Sequence, residues 1–336
     1  MRRILVTGGA GFIGSNFIQF ILQTYDDWHI VNLDALTYAG NLENLKSVER
    51  HPNYKFIKGS ITDYDLLESI AQRGLDGIIN FAAESHVDRS IKDPGVFVET
   101  NIMGTQRLLE IVRKYKVGRF LQVSTDEVYG SLGDSGFFTE ATPLKPNSPY
   151  AASKASADLL VRAYHETFGM DVVITRCSNN YGPYQFPEKL IPLIISNALD
   201  DKSLPVYGDG LNIRDWLHVI DHCSAIALAF LKGQSGEVYN IGGNNERANI
   251  EVVKSILSLL AKPESLINNV KDRLGHDRRY AIDASKIRTE LGWQPEYCFE
   301  TGIRETVEWY CHNRVWWEKI RSGQYRDYYS KMYAKG

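Results

Sequence analysis

The stretch Val6-Thr7-Gly8-Gly9-Ala10-Gly11-Phe12-Ile13-Gly14 constrains this chain more than any other. It satisfies GxxGxxG through Gly8, Gly11 and Gly14, and GxGxxG through Gly9, Gly11 and Gly14. A β-branched run at residues 4–7 precedes it, and a dense apolar segment of helix length, 15–24, follows it. Glycine spacing alone says little, but between a strand and a helix it describes a phosphate-cradling turn. Missing Cβ atoms permit the tight turn and let backbone N–H groups approach a pyrophosphate, while the helix N-terminus adds positive potential. A glycine-rich turn without a ligand is the competing reading, and the flanking elements weigh against it. Asp34 closes the next strand signal, 20 residues after Gly14. A carboxylate there can accept hydrogen bonds from an adenosine ribose, and its charge repels a 2′-phosphate, so NAD rather than NADP is expected. A turn or helix-capping aspartate is the alternative.

The rest of the first half alternates strand and helix signals. Strands are expected at 29–34, 54–58, 77–82, 119–124 and 171–176, and helices at 101–116 and 151–168. In the first of these helices Ile102, Thr105, Leu109 and Val112 recur at helical spacing, with Lys114, Lys116 and then Gly118 as a stop signal. This rhythm implies an α/β fold, a Rossmann-like doubly wound parallel sheet covered by helices. The second half has shorter elements and loop clusters at 179–183 and 207–210, and reads as a smaller mixed α/β substrate domain. The expected division is 1–178 and 179–336, with parts of roughly 210–240, including an apolar helix at 219–231, packing back on the first unit. The aromatic tail (Trp309, Trp316, Trp317, Tyr325, Tyr328, Tyr329, Tyr333) is expected to pack on the core as a terminal helix and strap. An exposed partner site is the minority reading.

Composition sets outer bounds. A chain of 336 residues is about two domains long. With 43% hydrophobic and 24% charged residues it is neither disordered nor fibrous. A net charge of -3 without a basic stripe argues against a nucleic-acid partner. Cys177, Cys223, Cys298 and Cys311 show no CxxC spacing, which fits free thiols in a reducing cytoplasm. No apolar run approaches the ~18 residues of a membrane span. Met1-Arg2-Arg3 resembles a signal-peptide start, but the apolar run behind it ends after Val6, so a cytoplasmic chain is expected. His86 and His276 lack a second ligand at suitable spacing, so no metal is expected.

Two motifs carry chemistry. Tyr150 and Lys154 form YxxxK at the start of the 151–168 helix, where i and i+4 side chains are neighbours on one face. Tyr54 and Lys58 have the same spacing but sit on a strand signal, which would separate them by ~13 Å. Only the first pair can act as a unit. An adjacent ammonium is expected to lower the phenol from its usual ~10 and poise it as a base. Upstream, Val123-Ser124-Thr125-Asp126-Glu127 places a hydroxyl and two carboxyls at a strand end. Thr125 can bond a substrate hydroxyl, and a carboxyl pair can divide into one donor and one acceptor. An acidic turn without a role is the alternative.

With TGGAGFIGSN, STDEVYG and SPYAASK in place, the chain resembles the extended short-chain dehydrogenase/reductase family, and within it the nucleotide-sugar 4,6-dehydratases. The resemblance spans nearly the whole chain, through residues 33–45, 80–91, 179–193, 204–219, 239–243 and 272–283. Sugar epimerases of the same fold share the Tyr/Lys unit but lack the Asp-Glu pair. The resemblance implies that Tyr150, helped by Lys154 and Thr125, takes the proton of the glucose 4-hydroxyl while hydride leaves C4 for NAD. Glu127 would then remove the C5 proton and Asp126 would protonate the departing 6-hydroxyl, with hydride returning to C6. It implies tightly bound NAD, regenerated each turnover, and a 4-keto-6-deoxy product of the kind that leads to rhamnose-type sugars.

The resemblance also implies the surroundings of each ligand. Gly8, Gly11, Phe12, Ile13, Gly14, Asp34, Leu36, Thr37, Ser60, Ile61, Ala82, Ala83, Ser85, Thr100, Tyr150, Lys154 and Asn180 would surround NAD. Ser85, Thr125, Asp126, Glu127, Asn179, Lys189, Leu190, Pro205, Tyr207, Arg214, Asn249, Arg273, His276 and Tyr280 would surround a nucleotide-diphosphate glucose. Arg214 and Arg273 suit a diphosphate as planar donors, although each could equally serve a domain-interface salt bridge. Ser60 stands where the family usually has Asp, and Leu274 where it usually has Pro. A homodimer through helices 101–116 and 151–168 is implied as well, although these apolar helices could equally be buried within the monomer. The alternatives are a UDP-sugar 4-epimerase, a dehydratase acting on another nucleotide sugar, and a non-catalytic NAD-binding regulator. No single residue reads the nucleotide base.

Overall fold

Seven parallel strands make the central sheet of the computed structural model, which describes residues 2–272 and 275–323. In chain order the strands are β1 (Arg2–Thr7), β2 (Trp28–Asp34), β3 (Tyr54–Lys58), β4 (Gly77–Asn80), β5 (Arg119–Thr125) and β6 (Val172–Cys177). They continue with β7 (Asn179–Tyr181), β8 (Leu204–Tyr207), β9 (Ile213–His218), β10 (Val238–Ile241), β11 (Glu246–Ala248) and β12 (Ile267–Val270). The large sheet runs β10-β6-β5-β4-β1-β2-β3 with every pairing parallel. Its first six strands have the doubly wound order 3-2-1-4-5-6 of a Rossmann-like fold.

Alternation along each strand distributes side chains between two covered faces. Ile4 and Val6 join Phe17, Ile18 and Ile226 beneath helices Phe12–Thr24 and Val219–Lys232. Leu5 points the other way, with Val31, Leu108, Leu109 and Val161, beneath helices Thr105–Tyr115 and Pro149–Phe168. Helix Pro149–Phe168 has clear ends. The Ser148 hydroxyl accepts from the Ala151 N–H at 3.1 Å, Pro149 occupies the first turn, and Gly169 leaves it at φ 63°.

The segment expected as one helix over 101–116 is built differently. A short α-helix, Pro94–Phe97, runs into π-helix Val98–Gly104 and then α-helix Thr105–Tyr115. Gly104 lies against Ile61, whose Cδ1 would be 2.5 Å from an added Cβ. Lys116 rather than Gly118 takes the left-handed stop, at φ 52°.

The second half forms a three-stranded sheet, β11-β9-β7, and a two-stranded sheet, β12-β8. Helices Leu190–Leu199, Asn249–Leu259, Phe299–His312 and Arg314–Ser322 enclose a third core containing Trp216, Ile256, Tyr310 and Trp317. Trp316 and Trp317 are buried, and Trp316 Nε1 donates to Asn44 Oδ1 at 2.9 Å, tying this core to the first half. Tyr325, Tyr328, Tyr329 and Tyr333 lie outside the described residues, as do Arg273 and Leu274. The chain also returns: helix Val219–Lys232 packs on Phe12–Thr24, and β10 pairs with β6 at the sheet edge. All four cysteines are free thiols. Among the described residues no helix is long and apolar enough to cross a membrane.

Candidate active site

In a doubly wound sheet the strand order reverses at one place and opens a crevice at the carboxyl ends of the strands. Here the reversal lies between β1 and β4, and a continuous cleft runs from the glycine turn, past the end of β5, to the segment after β6. Gly8 has φ +69°, and an added Cβ would come within 2.6 Å of the Ala82 backbone nitrogen. A Cβ on Gly14 would run into the Gly8 carbonyl oxygen. The turn therefore requires glycine at both positions, for its conformation and for close approach of helix and strand. No side chain caps the first turn of helix Phe12–Thr24. Its opening N–H groups are thus left for a ligand.

Asp34 ends β2 at the rim of the cleft. Its Oδ2 accepts from Ala10 N–H at 2.8 Å and its Oδ1 from Leu36 N–H at 2.7 Å. Burial raises the carboxyl above the usual range, and these two hydrogen bonds oppose that. Each carboxylate oxygen keeps one lone pair for a ribose hydroxyl. Ser60 Oγ pairs with Thr62 Oγ1 at 2.8 Å and accepts from Thr62 N–H, so the serine first braces its own turn. All the residues expected around NAD line this cleft except Leu36. The Leu36 side chain packs against the core and lines an adjoining hollow with Tyr38 and Arg89.

The two chemical motifs meet in the same cleft. Tyr150 and Lys154 occupy successive turns of their helix, both buried, and both line it with Thr125, Asp126 and Glu127. Thr125 Oγ1 accepts from Glu127 N–H at 3.3 Å and donates to Asp126 Oδ1 at 3.3 Å. Asp126 Oδ2 is buried without a hydrogen-bond partner, an acceptor or proton carrier awaiting a ligand. Burial, then the neighbouring Glu127 charge, raise the Asp126 carboxyl well above its ordinary value, while Arg214 pulls the other way. Two adjacent carboxyls thus differ in environment, as a donor–acceptor pair requires.

One expectation is corrected. Tyr150 is not lowered by Lys154: burial, and then Glu127, push its phenol well above 10. The Lys154 ammonium donates to the Val123 carbonyl at 2.7 Å, and burial lowers its own value. Helical spacing puts the two on one face, but desolvation dominates the shift of each.

Several residues not singled out from the sequence belong to the site. Tyr38, Glu84, Ser124, Gln185, Phe186 and Glu188 line the cleft. Gln185, Phe186 and Glu188 lie inside the 179–193 stretch, which carried the resemblance without any of the three being named as a site residue. Asn101, in the π-helical turn, donates to the Glu84 carbonyl at 3.0 Å and to Ser153 Oγ at 2.8 Å, joining the 81–86 loop to the tyrosine helix. Glu188 is buried between Arg89, 3.4 Å away, and His86, 3.6 Å away.

Of the residues expected around the sugar nucleotide, Ser85, Asn179 and Lys189 line the cleft with the Thr125 group, and Lys189 Nζ donates to the Ser85 carbonyl at 3.1 Å. Leu190, Pro205, Tyr207, Arg214, Asn249, His276 and Tyr280 do not line it. Leu190 packs against the third core, and Pro205 is buried in β8. Arg214 stacks 4.3 Å over the Tyr280 ring and donates to the carbonyls of Ile213 at 2.7 Å and Asp277 at 2.8 Å. Tyr207 packs edge-on to His276 and donates to Asp88 Oδ2 at 3.4 Å. Charge still links this group to the acids: Arg214 pulls Asp126 down, and Glu127 helps raise Tyr280. Arg273 lies outside the described residues.

The glycine cradle, the free helix start and the remaining lone pairs of Asp34 fit a dinucleotide without a 2′-phosphate. A Rossmann-like cleft that joins such a cradle to Tyr150/Lys154 and an acid pair is that of a short-chain dehydrogenase/reductase of the extended type. Comparison with known proteins narrows this. The family model described as GDP-mannose 4,6 dehydratase matches residues 5–306. A dTDP-glucose 4,6-dehydratase of Xanthomonas campestris pv. campestris (strain B100) is 56% identical over 97% of this chain and 98% of its own. The crystal structure of dTDP-glucose 4,6-dehydratase from Bacillus anthracis in complex with NAD superposes with TM-score 0.90 at 58% identity, over 95% of this chain and 100% of that one. A UDP-glucose 4-epimerase from Thermotoga maritima, solved with UDP-glucose, has TM-score 0.87 but 29% identity, over 93% of this chain and 99% of that one. The chain belongs to the dTDP-glucose 4,6-dehydratase family.

Proposed function

We propose that this chain is an NAD-dependent hydro-lyase that converts dTDP-glucose into dTDP-4-keto-6-deoxy-glucose and water. The observation that carries the reading is the meeting of Tyr150/Lys154 with Asp126/Glu127 in one cleft. An epimerase needs the first pair only. The choice of dTDP rests on the relatives at more than half identity.

Bound NAD supplies the acceptor for hydride from C4, the donor of hydride to C6 and a positive charge in the cleft. The chain's own residues move the protons. Tyr150 takes the proton of the 4-hydroxyl, with Thr125 hydrogen-bonded to the same oxygen. Lys154 keeps a cation beside the phenolate that forms, which a buried site needs. The 4-keto group acidifies C5, and Glu127 takes that proton. Asp126, kept protonated by its burial, gives its proton to the leaving 6-hydroxyl, and water departs. Glu127 then returns its proton to C5. The proton gained by Tyr150 and the one lost by Asp126 balance, so solvent exchange between them resets the site.

Incubating the purified protein with dTDP-, UDP-, CDP- and GDP-glucose should give loss of one water with dTDP-glucose, read by mass spectrometry. Unchanged mass for all four overturns the dehydratase reading, and loss of water from another nucleotide alone overturns the choice of base.

We further propose a cytoplasmic homodimer, joined through helix Pro149–Phe168 and the helical run before it. Exposed Val98, Met103, Leu159 and Phe168 on these segments support the interface. Sedimentation should give a mass near twice 38.1 kDa, and Leu159→Glu should shift it toward the monomer. A monomeric parent protein would contradict this.

A further inference from the structure

We propose that Asp158, Arg176 and Tyr129 are positioning residues that hold the oxidising pair, Tyr150/Lys154, in fixed register with the eliminating pair, Asp126/Glu127. None of the three lines the cleft. Asp158 lies one further turn along the face that carries Tyr150 and Lys154, and its side chain is 1% exposed. Its Oδ2 accepts from Arg176 Nε at 2.9 Å, on β6. Arg176 Nη1 in turn donates to the Tyr129 hydroxyl at 3.0 Å, with the guanidinium 4.9 Å from that ring's centre. Tyr129 closes the short 3-10 turn Asp126–Tyr129, which carries both acids. Its hydroxyl donates to Asn240 Oδ1 at 2.7 Å, on β10, and its ring stacks on Phe138 at 5.0 Å.

One buried guanidinium is therefore the common anchor of the tyrosine helix and the acid turn. Burying such an ion pair costs desolvation and adds little net stability compared with apolar packing, whereas it does impose one geometry. Proton transfers at C4–OH, C5 and C6–OH of one ring demand that geometry, because small misplacements of a reacting group cost orders of magnitude. The chain Asp158–Arg176–Tyr129 can be cut on either side of the anchor. Removing the Tyr129 hydroxyl releases the acid turn and leaves Asp158–Arg176 intact. Replacing Asp158 releases the helix side and leaves Arg176–Tyr129 intact.

The proposal rests on the dehydratase reading, and the test separates the two. Parent protein, Tyr129→Phe and Asp158→Asn are assayed with dTDP-glucose carrying deuterium at C4 or at C5. Tyr129→Phe keeps the stacked ring, so it should fold. It loses the hydrogen bonds to Arg176 and Asn240. Its turnover should fall about tenfold or more, the scale of a hydrogen bond to a charged group, and the ratio of the C5 to the C4 isotope effect should rise. Asp158→Asn should lower the same ratio. If Asp158→Asn does not fold, the ratio for Tyr129→Phe decides alone. A ratio unchanged from the parent despite slower turnover means a scaffold role only and overturns the proposal, as does parental turnover in Tyr129→Phe. A parent protein that loses no water fails earlier, on the reaction itself, before any variant is compared.

Discussion

Replacing Asp126 with asparagine and Glu127 with glutamine is expected to slow water elimination by roughly 10²–10⁴-fold, the usual contribution of general acid–base groups, while cofactor binding is retained. Both replacements keep side-chain volume. Neither position contributes to the glycine turn or to the Asp34 rim, so the dinucleotide cradle is untouched. Retention is checked by the nicotinamide released on denaturation, and elimination by the mass of the product. Elimination at near parental rate would remove both residues from their assigned roles.

The pH dependence has a definite sign. Asp126 acts as an acid only while protonated, and its folded value lies well above the ordinary 3.8. The acid's contribution to elimination therefore falls as pH rises through the raised value. The same shift affects stability. A carboxyl whose folded value is raised favours the folded state fully below the unfolded value, and that contribution is lost as pH rises through the folded one. Asp126→Asn alone should accordingly match or exceed the parent in melting temperature at alkaline pH while losing activity, a trade of stability for function. A lower melting temperature there would contradict the assignment of burial as the main cause.

Tyr150→Phe should lower kcat by roughly 10²–10⁴-fold with a smaller change in KM. The phenol is the only group assigned to the 4-hydroxyl proton, and without oxidation at C4 neither later step can begin. Its burial makes a second outcome measurable. In the ligand-free protein Tyr150 should remain protonated beyond pH 10, because desolvation, and then the charge of Glu127, oppose the phenolate. A tyrosinate absorbance change near neutrality that disappears in Tyr150→Phe would show the phenol already ionised, contrary to the structure. Deprotonating so buried a phenol requires compensating positive charge beside it.

These points mark where the sequence was informative. Gly8 and Gly14 were legible because a tight turn and a close contact are local demands, met by one residue type. Tyr150/Lys154 could be told from Tyr54/Lys58 because helix and strand space i and i+4 differently, and the second pair does lie on β3. Asp126 and Glu127 were legible from a strand end followed by acids. The direction of the Tyr150 shift was not, since burial is a property of the whole packed site. Nothing in the sequence sets Asp158 apart, because its partner, Arg176, belongs to another element. The π-helical turn at Val98–Gly104 left no mark in the apolar spacing. Arg214 was identified, but its hold on Tyr280 and the 277 carbonyl depends on a strand and a loop far apart in sequence.

The late return of the chain to its first half has a consequence for biosynthesis. When a ribosome has released residues up to β6, the large sheet still ends in an open edge, and Phe12–Thr24 still lacks the helix that covers it. Both gaps close only after residues 219–241 emerge. The nascent polypeptide thus carries an unsatisfied strand edge and wet apolar surface through the synthesis of some sixty further residues, the stage at which chaperones shield a growing chain. A gene cut after codon 178 would encode two fragments, each missing part of its own interior.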